Sequence, residues 1–226
     1  AGNKDDRVDA FVLADTLGTN RARLRPRVPD SPATVALRAV CRARKDLVAH
    51  RVGVANQLRE HLKRVFPGAV GLFAELDSAI SLRFLTRFDC QYRADWLSPT
   101  RLGAWLVSVG YCGRTDPAAL HARLTAAPRG ATGDEGAAHV HITRALVATL
   151  TSLVEQIKIL SDQIGEQLAT HADAHIFTSL PRSGTVRAAR LLAEIGDCRA
   201  RFPTPEALAC QAGVAPSTRQ SGKMRS

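Results

Sequence analysis

The chain has 226 residues and a formal net charge of +10 at pH 7, and 26 of its 31 basic residues are arginine. This length holds one large domain or two small ones around a buried core, and the low aromatic content of 5% favours helices packed on helices. No run of 18 apolar residues and no secretory signal opens or interrupts the sequence, so the composition argues against a transmembrane or secreted protein.

The excess of arginine indicates a polyanionic partner, because the planar guanidinium binds phosphate through two parallel hydrogen bonds. A GC-rich genome also raises arginine, alanine and glycine together, which is an alternative explanation of part of the excess. Five cysteines lie scattered without a C-x-x-C pair, which predicts reduced thiols in a cytosol. The close histidine pairs His139/His141 and His171/His175 lack a nearby cysteine and are interpreted as solvated helix residues rather than zinc ligands.

An acidic helix opens the chain, with Asp5, Asp6 and Asp9 in its first turns and an apolar face that includes Val8 and Phe11. Acidic side chains near a helix N-terminus complement the helix dipole, which is a purely structural explanation. Asp6 and Asp9 are also i,i+3 neighbours, so both carboxylates can share one divalent cation. Spacing alone favours the structural explanation and leaves the metal site open.

A Pro-rich basic linker follows at 18–32, and it is either a solvated connector or an arm that lies on a phosphate backbone. Asp30 or Ser31 then caps a long helix that has Pro32 at its first position and runs to about Val65. Basic side chains with few acidic partners crowd the surface of this helix, which predicts a nucleic-acid-binding face rather than an ordinary charged exterior. These residues are Arg38, Arg42, Arg44, Lys45, Arg51, Arg59, Lys63 and Arg64.

Short helices are predicted over 68–128, and Trp96 and Trp105 are both assigned to their core. After a Gly-rich hinge at 127–138, a second long helix is predicted over about 137–174. Its apolar residues alternate by four and three, the spacing of a coiled-coil seam. The seam consists of Leu146, Leu150, Leu153, Ile157, Leu160 and Ile164. This helix either pairs antiparallel with the first long helix or crosses between subunits, so dimerisation through it is a hypothesis.

The last fifty residues contain a tight turn at Ser183-Gly184, followed by a new helix. The turn resembles a helix-hairpin-helix element, in which turn amides and a helix N-terminus hold a phosphate without reading sequence. Arg182 stands where that element usually has its first glycine. The tail carries Ser217 and Ser221 among basic residues, and a serine in such a loop can attack a phosphodiester if it is activated.

Three motifs occur in order along the chain: K-x-D-x-x-D-A at Lys4–Ala10, LR-x-x-x-R-x-R at Leu37–Arg44, and an LL-A-E-IGD run that ends in QSG at Leu191–Gly222. Together they resemble the DEDD-type insertion-sequence transposases, serine-dependent recombinases that use a bridge RNA. The resemblance covers essentially the whole chain, and the C-terminal motif is its most specific part.

The resemblance implies a mainly α fold with three parts. Residues 1–30 would be the C-terminal remnant of an RNase-H-like (RuvC-like) nuclease domain. Residues 31–174 would be a helical, coiled-coil region. Residues 175–226 would be the N-terminal part of a serine transposase domain with helix-hairpin-helix character.

The resemblance further implies a bacterial, cytoplasmic DNA transposase that cuts and rejoins strands, with DNA and a guide RNA as partners and a homo-oligomer formed through the coiled coil. Asp6 and Asp9 match two of the family's four acidic ligands for a divalent metal such as Mg²⁺. Ser221 matches its serine nucleophile, with Ser217 as the fallback. The expected nucleic-acid contacts are Lys4, Arg38, Arg42, Arg44, Lys45, Arg182, Ser183, Gly184 and Lys223.

The other two acidic residues of the family are expected upstream of Ala1, and the rest of the transposase domain beyond Ser226. The chain is therefore expected to be truncated at both ends and inactive alone. The alternative is a catalytically inactive remnant that only binds nucleic acid. An in-frame upstream segment that carries Asp and then Glu would favour the recombinase.

Overall fold

A computed structural model describes residues 6–24, 28–131, 133–214, 220–221 and 224–225, and this part of the chain is mainly helical, as predicted. Short 3-10 turns occur at Arg21–Arg23, Pro67–Ala69 and Arg199–Arg201. The helices are α1 (Asp6–Asn20), α2 (Pro32–Val65), α3 (Ala79–Arg87), α4 (Gln91–Ala94), α5 (Pro99–Ser108), α6 (Pro117–Ala126), α7 (Gly133–Ala169), α8 (Ala174–Thr178), α9 (Thr185–Ile195) and α10 (Pro205–Gln211). Two-residue strands β1 (Gln220–Ser221) and β2 (Met224–Arg225) pair antiparallel.

Helix α1 forms as predicted, with Asp6 and Asp9 in its first turn. None of its residues is buried, and the apolar side chains of Val8 and Phe11 are 55% and 71% exposed. Within the described residues, the apolar face of α1 is therefore not covered by the rest of the chain.

Local signals set both ends of α2. The Ser31 hydroxyl accepts the Thr34 N–H and Pro32 occupies the first turn, where the missing amide proton of proline costs no helical hydrogen bond. The Phe66 N–H still bonds to the Leu62 carbonyl, and Pro67 then stops the helix because it cannot donate the next bond. These caps confirm the predicted boundaries.

Helices α2 and α7 lie antiparallel along their length. Contacts run in opposite directions along the two sequences: the Thr34 hydroxyl meets His171 just after α7, Arg44 donates to Ser161, and His61 lies against Thr143. Leu150, Ile157 and Ile164 of the seam are buried at 0%, 7% and 0% exposure. Of the two arrangements predicted from the sequence, the described chain shows antiparallel pairing of the two long helices within one chain.

The four small helices α3 to α6 close one end of the α2–α7 pair around an apolar cluster. Phe84 is 1% exposed at its centre, and the rings of Phe88 and Trp105 meet it at centroid distances of 5.1 and 5.6 Å. Gly68 is required in this layer, because an added Cβ would lie 2.6 Å from the Leu124 carbonyl oxygen. Trp105 belongs to the core as predicted.

A second apolar cluster lies at the other end of the pair, where α8 and α9 pack on α2 and α7. Leu37 of α2, Ile164 of α7 and Leu192 of α9 are each at most 1% exposed. This cluster fixes the C-terminal segment against the beginning of α2, although the two are more than 130 residues apart in sequence. It thereby positions the polar groups described below.

Three sequence predictions are corrected by the fold. Trp96 is 58% exposed rather than buried, and the Arg101 guanidinium lies over its ring. The second long helix spans Gly133–Ala169 rather than 137–174, since a turn through His171 follows its end and residues 133–138 of the expected hinge already belong to it. The side chain of His171 is only 5% exposed, so it is not a solvated helix residue.

Helix α7 also bears on the membrane prediction. Its segment Glu135–Ala169 is long and apolar enough, by length and composition, to cross a membrane. The core helix of a soluble protein can have the same length and apolar composition, and α7 packs along α2. The length and composition of α7 are therefore weak support for a membrane span.

Candidate nucleic-acid interface

A buried polar cluster joins the beginning of α2 to the end of α9, and we call it the junction. Asp30 lies at its centre with a carboxylate only 2% exposed, ion-paired to Arg38 and 3.7 Å from Nη1 of Arg201. Burial alone would raise the pKa of Asp30, but the hydrogen bond and charge of Arg38 hold it below the usual value. The junction consists of Asp30, Ser31, Thr34, Arg38, His171, Asp197 and Arg201.

Asp197 is the second carboxylate of the junction. Its Oδ1 accepts the Ser31 N–H at 3.0 Å, and its Oδ2 lies 3.9 Å from Nε2 of His171. Burial opposes its ionisation, yet the hydrogen bonds from Ser31 and Thr34 lower the pKa of Asp197 to about 2. Both carboxylates are therefore charged at neutral pH and tie the two segments together.

The surface between α2 and α9 carries a polar crevice of about 460 Å³. Arg42 forms a two-pronged ion pair with Glu194, with Nε–Oε1 at 3.0 Å and Nη2–Oε2 at 2.8 Å, and this hydrogen bond lowers the pKa of Glu194. Lys45 and Arg190 line the same crevice and make no hydrogen bond or ion pair with any described residue. These two cations are the ones that the crevice leaves available for an outside anion.

Several cations of the predicted basic face are engaged within the fold. The guanidinium of Arg38 is buried in the junction, Arg44 donates to the Ser161 hydroxyl at 2.7 Å, and Arg51 pairs with Asp77 at 3.2 Å. Lys63 pairs with Glu60 one helical turn away. The net charge of this face is thus smaller than its count of cations, because Asp30, Glu60, Asp77 and Glu194 each pair with one of them.

The turn before α9 contains Arg182, Ser183 and Gly184. Arg182 has a φ of +59°, in the left-handed region that glycine favours, at the position where the resembling element has glycine. The Arg187 guanidinium donates to the Arg182 carbonyl at 2.8 Å and holds this conformation. Gly184 caps α9 without a side chain, and the buried Ser183 hydroxyl makes no hydrogen bond within the described residues. In the first turn of α9 the Arg187 N–H bonds back to the Gly184 carbonyl at 2.9 Å, whereas the Thr185 and Val186 amides make no hydrogen bond within the described residues and are left for a ligand.

The predicted metal ligands Asp6 and Asp9 lie on the exposed first turn of α1. Their carboxylate oxygens are the donors that Mg²⁺ prefers. Within the described part of the chain no group of three or more His, Cys, Asp or Glu side chains comes together. The pair therefore fits Mg²⁺ in chemistry and supplies only part of an octahedral shell.

Ser221 ends strand β1, where its Cα is the partner of Met224 in β2. Two residues separate the paired positions, so Ser221 precedes a short connection between the strands. The predicted sites Lys4, Ser217 and Lys223 lie outside the described residues.

Sequence reasoning missed Arg190, which lines the crevice with Lys45. The signal was present, since Ala188, Leu192 and Ile195 define the buried side of α9 and place residue 190 off it. The sequence does not show that Arg190 and Lys45 line one crevice, because the packing of α9 on α2 brings them together.

Two family models match this chain at its two ends. A transposase model of the DEDD type, for IS110, matches residues 1–67, and the model of the transposase IS116/IS110/IS902 family matches residues 174–226. These are the segments that the junction and the second apolar cluster hold together.

Similar proteins from insertion elements are known. The chain is 34% identical over 233 residues to the mini-circle putative transposase for IS117 of Streptomyces coelicolor, covering 97% of this chain and 55% of that protein. It is 30% identical over 230 residues to an IS116 protein of 44.8 kDa from Streptomyces clavuligerus, covering 97% and 54%. No solved structure shows significant similarity.

The family assignment follows from these matches, which agree from end to end. The chain belongs to the IS110/IS116 family of transposases. It spans about half the length of the curated relatives that it matches along its whole length.

Proposed function

We propose that this protein acts on DNA as a transposase: it cuts and rejoins strands at an insertion element, through a serine nucleophile and with guidance from an RNA. The observation that carries the proposal is that family models match residues 1–67 and 174–226. These two segments contact each other where α9 packs on α2. A cytoplasmic location and a homo-oligomer belong to the same proposal.

We assign binding of the polyanion to two surfaces that adjoin α9. One is the crevice with the available cations Lys45 and Arg190, next to the α2–α9 contact. The other is the turn at Arg182–Gly184, which leads into α9, where the Thr185 and Val186 amides suit a phosphate. Neither surface reads base identity, so we assign both to positioning of the nucleic-acid backbone.

The catalytic proposal concerns Ser221, Asp6 and Asp9. The Ser221 hydroxyl would lose its proton and its oxygen would form a bond to phosphorus as the bond from phosphorus to a sugar oxygen breaks. The displaced sugar oxygen would take up one proton, so that the proton count balances, and the other strand end would stay linked to the protein. Asp6 and Asp9 would hold part of the Mg²⁺ shell, and further carboxylates and water would complete it. A bound Mg²⁺ supplies Lewis-acid stabilisation of charge on the phosphate.

The binding proposal is tested by filter binding of a DNA duplex over a series of salt concentrations. Lys45→Ala and Arg190→Ala should each weaken binding and lower the salt slope by about 1, because each lost phosphate contact releases fewer counterions. Lys158→Ala is the control, since it removes the same charge from the exposed surface of α7. Equal effects of all three substitutions would show that only net charge matters, and the crevice assignment would be wrong.

The catalytic proposal is tested with the protein expressed from its native reading frame. Asp6→Asn and Asp9→Asn should abolish Mg²⁺-dependent recombination and leave RNA binding intact, because an amide keeps the shape but removes the charge. Ser221→Ala should abolish the covalent protein–DNA adduct, whereas Ser217→Ala should keep it. Loss of the adduct with Ser217→Ala alone would mean that Ser217 is the nucleophile. Recombination that survives every substitution would leave a nucleic-acid-binding role without catalysis.

A further inference from the structure

A second crevice, of about 640 Å³, is lined by residues between the two segments that the family models match. It opens between the end of α3 and the turn that follows α4. The residues that line it are Arg87, Phe88, Tyr92, Arg93, Asp95 and Trp96. Five of these six side chains carry an aromatic ring or a guanidinium group, an unusual lining in a chain with an aromatic content of 5%.

The two outer aromatic rings of this crevice are not part of the core. Tyr92 is 85% exposed and Trp96 is 58% exposed, whereas Phe88 at the floor is 4% exposed and packs against Trp105. Tyr92 lies in α4 and Trp96 two residues after its end, and both side chains line the same crevice. Exposed aromatic rings bear an energetic cost in water that a ligand would remove.

The orientation of the Trp96 ring is fixed before any ligand arrives. The Arg101 guanidinium stacks over it at 4.3 Å from the ring centroid, and its Nη1 donates to the Trp96 carbonyl at 2.8 Å. Ser98 caps α5 one turn earlier and holds Arg101 in place. A preoriented ring loses less conformational entropy when a flat ligand stacks on it.

The charge around the rings is positive. Arg129 pairs with Asp95, and Arg93 and Arg144 both pair with the buried Asp89, so arginines outnumber carboxylates. Arg87 also lines the crevice and makes no hydrogen bond or ion pair within the described residues.

We propose that this crevice binds unpaired nucleotides of a single-stranded nucleic acid, with a base stacked on Trp96 and Tyr92 and its phosphate at Arg87. Stacking requires a base whose face is open, which excludes a fully paired duplex, and the phosphate requires the free cation. An apolar or proline-rich peptide would use the rings but gain nothing from Arg87. The inference goes beyond the proposed function, because it needs neither the metal, nor the serine, nor the crevice at Lys45.

The experiment uses the whole chain and fluorescently labelled 12-mers: oligo(dT), oligo(U) and a DNA duplex of the same length. Trp96→Ala should weaken binding of the single strand by about 5- to 100-fold, the range expected for one stacked base. Trp96→Phe should restore part of that loss, and Arg87→Ala should lower the salt slope. Val107→Ala, an exposed apolar residue on α5 at 81% exposure, is the control.

The results separate the possibilities. Selective loss of single-strand binding in Trp96→Ala, with an unchanged thermal unfolding midpoint, supports the proposal, and whichever of oligo(dT) and oligo(U) binds more tightly identifies DNA or RNA as the source. An equal loss for the duplex, no loss for any probe, or equal effects of Trp96→Ala and Val107→Ala would overturn it. The test of the proposed function uses duplex DNA and Lys45→Ala, whereas this test uses single strands and Trp96→Ala. Duplex binding that falls with Lys45→Ala but not with Trp96→Ala would show that the two sites act separately.

Discussion

The junction yields a quantitative prediction for Asp197→Asn. The amide keeps an oxygen that can accept the Ser31 N–H, and it removes the negative charge that the junction stabilises. The pKa of Asp197 is held at about 2, against an ordinary value of 3.8. Since one pKa unit corresponds to about 1.4 kcal/mol, the charged form contributes on the order of 2 kcal/mol to the free energy of unfolding.

The sign of the pH dependence follows from the lowered pKa. The stabilisation from Asp197 is complete above the ordinary pKa of 3.8 and is lost as the pH falls from there towards about 2. At neutral pH, Asp197→Asn should lower the melting temperature by about 4–8 °C for a chain of this size. Thermal unfolding at pH 7 measures the change in melting temperature, and urea unfolding followed by circular dichroism at pH values from 7 to 2.5 measures the pH dependence.

The control for this prediction is Asp162→Asn, which alters an exposed carboxylate on α7 outside the junction. The difference in unfolding free energy between wild type and Asp197→Asn should shrink below about pH 4, whereas Asp162→Asn should track the wild type throughout. A difference that stays constant down to pH 2.5 would refute the argument, because the loss would then come from altered packing rather than from the charge.

Other contacts are tested by further substitutions. Gly196→Ala should destabilise the fold by about 1–3 kcal/mol, because Gly196 has a φ of +86° and an added Cβ would lie 2.2 Å from the Asp30 carboxylate; an unchanged melting temperature would contradict this. Leu153→Asp or Ile157→Asp should disrupt the α2–α7 pair, and unaltered size exclusion and thermal unfolding would reject the seam. Burial lowers the pKa of His61, so stability should fall as the pH drops below about 6.5; His61→Gln should flatten the pH dependence between 7 and 5.

The parts of the fold that the sequence predicted are those determined by local hydrogen bonding. Ser31 before Pro32 and Ser98 before Pro99 mark helix starts, and in both cases the serine hydroxyl accepts an amide of the first turn. The Ser–Pro pair encodes this geometry within four residues, so no knowledge of the tertiary structure is needed.

The errors of the sequence reasoning concern side chains whose environment is made by distant residues. The residue type of Trp96 favours the core, but the fold leaves this side chain 58% exposed, with the Arg101 guanidinium over its ring. His171 was assigned to solvent, but Thr34 and Asp197 enclose it. Hydrophobicity and spacing along one helix carry no information about which other helix packs against it.

The same limit applies to charge, and it changes where a nucleic acid is expected to bind. Arg38 and Arg42 belong to the basic motif that resembles the family, yet in the fold they neutralise Asp30 and Glu194. A cation that is committed to an internal carboxylate must break that pair before it can hold a phosphate, and breaking the buried pair of Arg38 would leave an uncompensated charge on Asp30. The cost for a buried pair is about 3–5 kcal/mol, more than one phosphate contact returns. The net charge of +10 is therefore expected to act through cations such as Lys45 and Arg190, which no described carboxylate holds. Arg38 and Arg42 of the motif instead link α2 to α9, through the Ala193 carbonyl and the Glu194 carboxylate.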